Sequence, residues 1–373
     1  MSNLLFFFGA GASAPFGIRT MQGIVKEFET ALNKAGPTEE QELYKDVVGF
    51  LDAILGRQTD LEAVFTVIDS ILNWSPDRLG VASLYHAWRV AATRFQPGVK
   101  PTVTKEDFLP PAKSQIETAR SLESRFEKFV QNECQIRDGQ SERIENVLRD
   151  LFTRAGGGVG GQSVEGSGRS YVIGNWSMFT TNYDAILEHY WLDHVQQPLN
   201  TGFSYNSTAR MEISNPEQFR QAGGLRLFKL HGSITWLQDG RWGLTEQRVP
   251  PQEMKTYTGR KFLGQVMLYP IEEKSLYSEP YITMYSTLNR ELATTPRWVF
   301  IGYSFGDRVV RDIVVRNSRG EVITVIVHPR ATEIASKLEG FRGPLRPIDA
   351  RFGEAGYQEV NDRIQRALRG EQV

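Results

Sequence analysis

Two segments of the sequence place residues suited to nucleotide chemistry directly after apolar runs. Leu4-Leu5-Phe6-Phe7-Phe8 is followed by Gly9-Ala10-Gly11-Ala12-Ser13, and a second run ends at Leu230 and is followed by His231. Glycine lacks a Cβ, so the backbone can approach a pyrophosphate, and a helix beginning near Ser13 directs N–H groups and a positive dipole end toward that anion. Histidine exchanges a proton near neutral pH. The sequence therefore predicts a phosphate-binding turn and offers a candidate base.

The glycine turn by itself is a weak signal. Its spacing matches G-x-G-x-x-A, but a turn that only packs a strand on a helix gives the same pattern. A standard dinucleotide-binding fold places a second strand with an acidic end about 20 residues further on. Here residues 21–35 have a helical pattern, Gly36-Pro37 follows, and no G-K-[ST] completes a phosphate loop. A variant of the nucleotide-binding fold is the better interpretation.

Polar residues follow three further predicted strands. Thr181-Asn182-Tyr183-Asp184 follows one, Gly302-Tyr303-Ser304 follows another, and His328 ends a third. Each junction also has an ordinary structural interpretation, as helix capping or as a buried, hydrogen-bonded histidine. Because ligands bind at the carboxyl ends of parallel strands, we expect these junctions to form one site with the glycine turn.

Strands and helices alternate through the second half of the chain. Apolar runs predict strands at 176–180, 225–230, 265–269, 298–301, 322–327 and 345–350. Helical periodicity lies between most of them, at 183–193, 281–292, 307–316, 331–338 and 357–368. This alternation predicts an α/β fold with a doubly wound, mostly parallel, Rossmann-like sheet.

The region between the glycine turn and the returning strands is helical, at 60–72, 81–95, 114–134 and 141–154, with a proline-rich joint at 96–111. We therefore predict a nucleotide-binding domain of residues 1–35 and 170–373, interrupted by a helical subdomain of residues 36–169. Residues 156–168 are rich in glycine and serine. They are interpreted as a flexible return linker, with a mobile lid as the alternative.

Composition excludes several classes of function. With 43 basic and 44 acidic residues the chain lacks the basic excess of a protein that holds nucleic acid by itself. Cys134 is the single cysteine, so neither an intrachain disulfide nor a cysteine-cluster zinc site can form. His189 and His194, five residues apart on one predicted helix, are not expected to share a face for a metal. No apolar run approaches about 18 residues and the first strand begins at Leu4, so we expect a cytoplasmic protein without membrane contact or signal peptide.

These motifs, in this order, resemble the signature of the sirtuin (SIR2-like) superfamily. The matching residues are Gly9-Ala10-Gly11-Ala12-Ser13, Gly17-Ile18, Thr181-Asn182-Tyr183-Asp184, His231-Gly232 and Gly302-Tyr303-Ser304. The resemblance implies an NAD-binding sheet with an inserted subdomain. It implies that residues 9–13 hold the pyrophosphate, that Asn182 and Asp184 contact the nicotinamide ribose region, and that Thr181 is among the NAD-binding residues. It further implies that His231 is the general base and that Gly302, Ser304 and the nearby His328 bind the adenosine side.

The chain also departs from protein-deacylating sirtuins. Their four-cysteine zinc ribbon is absent, and Arg19-Thr20-Met21-Gln22 stands where Pro-Asp-Phe-Arg is expected. Zinc-free chains with a helical insertion and a segment like Tyr269-Pro270-Ile271-Glu272-Glu273-Lys274 resemble the SIR2-like NADases of bacterial antiphage defence. Among these, a chain without an attached sensor domain is most similar to the partner of a HerA-type hexameric ATPase.

The resemblance implies an NAD+ hydrolase that releases nicotinamide and ADP-ribose and needs no metal. His231, Asn182 and Asp184 are its expected catalytic group, with Asp184 fixing the Asn182 loop or the ribose. A homo-oligomer and a HerA-type partner are expected. Two alternatives stay open, an NAD-dependent protein deacylase and a non-catalytic sensor of NAD or ADP-ribose. The sequence does not decide between NAD and NADP.

Overall fold

A computed structural model describes residues 3–55, 61–72, 74, 84–85, 111–157, 161–208, 211–221, 223–239, 243–246, 262–267 and 279–372. Most of the predicted helix at 81–95, most of the joint at 96–111, and the segment 269–274 lie outside these residues. The chain divides into two compact units. One comprises Met1–Thr20, Cys134–Leu268 and Glu273–Val373, and the other Met21–Glu133 with Tyr269–Glu272.

This division differs from the predicted boundaries at residues 36 and 169. The helix at 21–35 belongs to the helical unit, whereas everything described between 134 and 169 belongs to the unit that holds the sheet. Hydrophobic periodicity shows that a segment is helical but not which core its apolar face joins, and this explains the difference.

The strands of the described residues are β1 (Leu4–Phe8), β2 (Gln162–Gly166), β3 (Arg169–Ile173), β4 (Trp176–Thr180), β5 (Phe203–Asn206), β6 (Met211–Ser214), β7 (Arg226–Lys229), β8 (Gly232–Asp239), β9 (Gly243–Glu246), β10 (Phe262–Met267), β11 (Arg297–Ile301), β12 (Ile323–His328) and β13 (Leu345–Asp349). The helices are α1 (Ala10–Ser13), α2 (Met21–Ala35), α3 (Thr38–Leu55), α4 (Leu61–Leu72), α5 (Lys113–Glu133), α6 (Ser141–Gly157), α7 (Ile186–His189), α8 (Pro216–Arg220), α9 (Tyr281–Thr294), α10 (Arg308–Asn317), α11 (Ala331–Ser336) and α12 (Tyr357–Leu368). A 3₁₀ turn at Ala14–Phe16 follows α1, and a π-helical turn at Tyr190–Val195 follows α7.

Six strands form a sheet in the order β13-β12-β11-β1-β4-β7, and every pairing in it is parallel. The chain adds strands on one side of β1 as far as β7 and then on the other side from β11 to β13, so the strand order reverses at β1. The predicted doubly wound α/β fold is confirmed. Ligands of such sheets bind where the order reverses, at the carboxyl ends of the strands.

The all-apolar β1 is explained by burial on both faces of the sheet. Phe7 packs with Phe300 and with side chains of α9, α10 and α11 on one face. On the other face Phe6 packs edge-on against Phe152 of α6 and against Trp176. All five residues of β1 are buried. Each buried phenylalanine contributes roughly 2–3 kcal/mol, so the strand that leads into the glycine turn is rigidly placed.

A second sheet is antiparallel, in the order β10-β8-β9-β6-β5. It contains Phe262–Met267, so the expectation that a strand at 265–269 joins the parallel sheet is wrong. A short apolar run predicts a strand but not its partner, because partner choice depends on the turns and faces around it. β8 begins at Gly232, directly after His231, and this second sheet fixes the backbone after the candidate base.

The predicted flexible linker at 156–168 is wrong for its described residues. Gln162–Gly166 pairs with Arg169–Ile173 as a hairpin, and Ser167 and Gly168 adopt positive φ at its turn. A Cβ on Gly156 would lie 2.2 Å from the Trp176 ring. Glycines that permit close packing give a segment the same composition as a flexible linker, so composition alone led to the wrong prediction.

His189 and His194 do share a face, against expectation. A π-helical turn bonds i to i+5, so both rings point the same way, with centroids 5.0 Å apart. The Nε2 atoms of His189 and His194 lie 2.9 and 3.1 Å from Oγ of Ser141. Nevertheless, in the described part of the chain no group of three or more His, Cys, Asp or Glu side chains is arranged to hold a metal ion.

The helical unit has its own aromatic core, in which Phe28 and Phe65 pack on Phe126. Glu40 is buried there and accepts hydrogen bonds from Ser121 and Arg125 of α5. Among the described helices, none has both the length and the apolarity to cross a lipid bilayer.

Glu127 in α5 gives this unit a testable pH dependence. Burial, and then the neighbouring carboxylate of Glu123, raise the pKa of Glu127 to about 7. Because that pKa exceeds the unfolded value of about 4.3, the folded state loses stability as the pH rises from about 4 to 7, and the loss persists above 7. We expect Glu127→Gln to stabilise the protein by roughly 1–3 kcal/mol at pH 8, less than the full shift implies because the side chain is only partly buried, and by almost nothing at pH 4. Urea unfolding at both pH values measures this.

The control is Glu117→Gln on the same helix, where the side chain is 63% exposed and lies 3.9 Å from Lys113. It is expected to change stability by less than about 0.5 kcal/mol at either pH. An equal gain for Glu127→Gln at pH 4 and pH 8 would contradict the explanation.

Candidate nucleotide site

The glycine turn after β1 interlocks with the turn after β11. The N–H of Gly9 donates to Ile301 O at 2.9 Å, and the N–H of Gly11 donates to Gly302 O at 3.0 Å. A Cβ on Gly9 would lie 2.6 Å from Gly302 O, so both glycines are required for this backbone contact. The Gly11 N–H is therefore already used inside the protein. The predicted contact of Gly9, Ala10, Gly11 and Ala12 with a pyrophosphate stays a prediction.

Gly302 is the most constrained of these glycines. Its φ is +63°, and an added Cβ would lie 2.2 Å from the backbone nitrogen of Ala12. We expect Gly302→Ala to destabilise the protein by about 3 kcal/mol, since left-handed strain adds to a backbone clash. Denaturant unfolding measures this loss. Gly306→Ala is the matched control, because its Cβ would meet only Ser304 Oγ at 3.6 Å; equal losses for the two variants would contradict this account.

Three side chains at the ends of β1 and β4 form one hydrogen-bond network. Asn182 Nδ2 donates to Gly9 O and to Ser13 Oγ, each at 2.9 Å. Ser13 Oγ donates to Asp184 Oδ2 at 2.7 Å, and Asp184 Oδ1 accepts from the N–H of Ile186. Because a carbonyl only accepts, the bond to Gly9 O fixes the orientation of the Asn182 amide. Among the described residues Asn182 Oδ1 has no hydrogen-bond partner, so it can accept one from a ligand or water.

Asp184 thus has a positioning geometry. Its two oxygens hold Ser13 and the start of α7, and the side chain is buried. The expected role of Asp184 in fixing the Asn182 loop or the ribose stays a prediction. A cavity of about 10 Å³, lined in part by Ser13, Asn182 and Asp184, lies beside the network. It can hold about one water molecule, so protein atoms fill most of the space on this side of the network.

Lys229 stabilises the loop that carries Asn182 and Asp184. Its ammonium donates to the Asp184 carbonyl, and it pairs with Glu188 Oε1 at 2.8 Å. Both side chains are largely buried, at 2% and 11% exposure. A buried charge is stable only when it is paired and hydrogen-bonded, so this pair fixes the backbone that carries Asn182.

His231 lies beside that loop. Two backbone hydrogen bonds join the residues on either side of His231 to the segment at the end of β4. Leu230 N donates to Thr180 O at 2.8 Å, and Ile234 N donates to Tyr183 O at 3.0 Å. Gly232 follows with a φ of +85°, so the chain turns sharply directly after the histidine. His231 thus lies between β7 of the parallel sheet and β8 of the antiparallel sheet, and both strands fix its position. Its side chain is buried, with 7% of the residue exposed.

The Nε2 atom of His231 lies 3.1 Å from Oδ2 of Asp307. Burial alone would raise the pKa of Asp307, but the His231 interaction and the N–H groups of Val310 and Val309 outweigh it, so the pKa is lowered. Asp307 is therefore a carboxylate at neutral pH and accepts the Nε2–H. This assigns the proton of the neutral ring to Nε2 and makes Nδ1 the atom that can accept a proton.

Asp307 also caps α10, because its Oδ1 accepts from the N–H of Val310 at 3.1 Å. Asp307 is the last residue of the turn that begins with Gly302. Gly302 in turn accepts a hydrogen bond from the N–H of Gly11. The turns after β1, β4, β7 and β11 are thus joined by direct hydrogen bonds.

Ser304 and His328 lie on the other side of β1. Ser304 is exposed in the turn after β11, and His328 ends the neighbouring β12. His328 Nδ1 accepts from the N–H of Arg330 at 3.0 Å, and burial, followed by the Arg330 charge, lowers its pKa. His328 is therefore neutral near pH 7. Thr181 begins the turn after β4, and its N–H donates to Phe8 O.

Sequence reasoning missed the roles of Asp307 and Lys229. Asp307 was visible only as the start of a helix, and nothing along the chain links it to a histidine 76 residues earlier. Lys229 carried a signal, since a lysine between Phe228 and Leu230 in an apolar run implies a buried charge that needs a partner. The partner, Glu188, was not evident from spacing.

The geometry defines a doubly wound α/β protein with a polar site at the point where the strand order reverses. Residues 177–331 match the family model described as SIR2-like domain. The matched segment includes Asn182, Asp184, His231, Ser304 and Asp307.

Similar solved structures include a mutant Sir2 homologue in complex with 2′-O-acetyl-ADP-ribose, at 11% identity and a TM-score of 0.44, covering 98% of this chain and 92% of its own. A Sir2 homologue in complex with NAD is 12% identical with a TM-score of 0.42, covering 99% of this chain and 90% of its own. These TM-scores are low, and the fold assignment rests on the strand order itself. No curated protein matches the sequence significantly.

Proposed function

We propose that this protein hydrolyses NAD+ at the bond between nicotinamide and ribose. The observation that carries the proposal is the pairing, on adjacent turns, of two acceptor atoms for which the described residues supply no hydrogen-bond donor. Nδ1 of His231 is made the proton acceptor by Asp307, and Asn182 Oδ1 is held available by Gly9 and Ser13. One can take a proton and the other can orient a water.

The reaction suits this pair of groups. Nicotinamide leaves as a neutral molecule, taking the electron pair of the C1′–N1 bond, so no strong acid is needed. Positive charge builds on the ribose, and the oxygen of water bonds to C1′ while its proton passes to a base. The protein must therefore supply orientation, a base and a placed water. His231 is the base for the water or a ribose hydroxyl, and Asn182 orients the water.

The residues present fit a dinucleotide. The turns of Gly9, Gly11 and Gly302 approach one another so closely at the reversal point that a Cβ on any of the three would clash with the backbone of another. Polar groups continue on both sides of this point, at Asn182 and His231 on one side and at Ser304 on the other. This order matches a ligand with a reactive ribose at one end, a pyrophosphate in the middle and an adenosine at the other end.

The test is to incubate the purified chain with NAD and to quantify nicotinamide and ADP-ribose. Equal amounts of the two products are expected, and Asn182→Ala should lower their rate of formation by about tenfold or more. Ligand binding without product, with or without a partner protein, would favour a sensor. Nicotinamide release that requires an added acylated peptide would favour a deacylase.

The biological setting proposed for this reaction is antiphage defence by NAD depletion in the cytoplasm. It follows from the resemblance to zinc-free SIR2-like NADases, as do self-association and partnership with a HerA-type hexameric ATPase. Mixing the chain with a candidate ATPase, and measuring both complex size and NAD loss, tests these proposals together.

A further inference from the structure

A basic pocket opens beside Ser304, outside the residues assigned to the reaction. It has a volume of about 190 Å³ and lies between α10, α11 and the turn after β11. Its charged lining consists of Arg311, Arg330, Lys337 and Glu333. A phosphate group fits comfortably in a cavity of this size.

The pocket carries more positive charge than its carboxylate can balance. Glu333 forms ion pairs with two of the cations. Its Oε1 lies 2.5 Å from Lys337 Nζ, and its Oε2 lies 3.5 Å from Arg330 Nη1. Arg311 has a further contact with Asp312, at 3.8 Å and not in the pocket lining. Three cations thus face one carboxylate, a surplus of two positive charges. Arg and Lys each have several N–H donors, so these side chains can bind an anion while keeping their present contacts.

The turn that forms the pocket wall is strained. Phe305 is buried and has a φ of +58°, in the left-handed region that non-glycine residues rarely adopt. Such strain persists only where the surroundings hold it in place. Here it keeps Ser304 exposed at the pocket, next to the expected adenosine side of the site.

Topology identifies the group that this pocket would bind. In dinucleotide-binding folds, an acidic residue near the adenosine ribose binds a free 2′-hydroxyl, whereas an arginine accommodates a 2′-phosphate. The acidic residues near this turn are already engaged. Asp307 binds His231 and caps α10, and Glu333 is shared by two cations. Arginines are the groups that remain.

We propose that this pocket binds the 2′-phosphate of a phosphorylated dinucleotide, so that the site accepts NADP as well as NAD and holds the phosphorylated form more tightly. The inference rests on the proposed function, because it needs the adenosine to lie at Ser304. It concerns the substrate class and leaves the roles of His231 and Asn182 unchanged.

The experiment is calorimetric titration of the full chain with ADP-ribose and with 2′-phospho-ADP-ribose. We expect the phosphorylated ligand to bind at least tenfold more tightly. Arg311→Gln/Arg330→Gln should abolish this preference and change the affinity for ADP-ribose by less than twofold. This variant leaves the Lys337–Glu333 pair intact and the pocket neutral. Arg308→Ala is the control, since Arg308 is 81% exposed on α10 and is not part of the pocket lining.

Each other outcome overturns the inference in a distinguishable way. Equal binding of the two ligands, or a preference that survives in the double variant, rejects the 2′-phosphate assignment and leaves the dinucleotide site standing. A third outcome would be that both nucleotides bind equally while inorganic phosphate binds to the wild type and not to the double variant. The pocket would then be a site for a free anion and not for the 2′-phosphate. If neither nucleotide binds, the proposed function fails and this inference fails with it.

Discussion

Replacing His231 by alanine is expected to reduce the rate of NAD hydrolysis by about 10²- to 10⁴-fold, the usual contribution of a positioned general base. The loss should be in kcat. The binding surface is formed by the turns after β1, β4 and β11, whose hydrogen bonds to one another do not involve the His231 side chain. Single-turnover measurement of nicotinamide release gives the rate.

Two measurements separate this effect from misfolding. The variant should keep a cooperative thermal transition, and its affinity for ADP-ribose should stay within about threefold of the wild-type value. His231 is also 3.1 Å from Asp307, so removing the ring leaves that carboxylate with its capping bond to Val310. A folded His231→Ala protein that hydrolyses NAD at the normal rate would rule out the assignment of the base.

Replacing Asp307 by asparagine is expected to lower kcat by about 10²- to 10⁴-fold, because a histidine base held in the wrong tautomer cannot take the proton. Asparagine caps helices as well as aspartate does, so α10 should be retained. The amide can present N–H to Nε2 of His231, which would move the ring proton to Nδ1 and remove the acceptor. KM should change by less than about threefold.

Asp312→Asn is the matched control for this substitution. Asp312 lies on the same helix, is 53% exposed, and contacts Arg308 and Arg311, each at 3.8 Å. It should leave kcat within twofold of the wild type. If Asp307→Asn keeps full kcat while its fold is intact, the tautomer inferred for His231 plays no part in the reaction.

Much of the sheet was predictable because its strands are buried on both faces. The predicted strand at 176–180 matches Trp176–Thr180, and the predicted helix at 357–368 matches Tyr357–Leu368. A continuous apolar run followed by glycine, or a strong 3.6-residue period, is information contained within the segment itself. The parallel, doubly wound character of the sheet also followed, since alternating strands and helices restrict the topology.

The site was only partly predictable, because its chemistry depends on contacts between distant residues. Asn182, Asp184 and His231 were evident as polar residues at strand ends. The fixed amide of Asn182 depends on Gly9 and Ser13, more than 160 residues earlier. The proton position on His231 depends on Asp307 in the same way. Spacing along the chain also did not reveal that Gly9 and Gly11 serve the contact with Gly302, and their contact with a phosphate stays a prediction.

A crystal structure of the chain with ADP-ribose is the most direct test of the proposed site. We expect the terminal ribose to lie between Nδ1 of His231 and Oδ1 of Asn182, with the pyrophosphate over the Gly9–Gly302 contact and the adenosine at Ser304. If ADP-ribose instead binds where His231 and Asn182 face away from it, the proposed hydrolase mechanism is wrong.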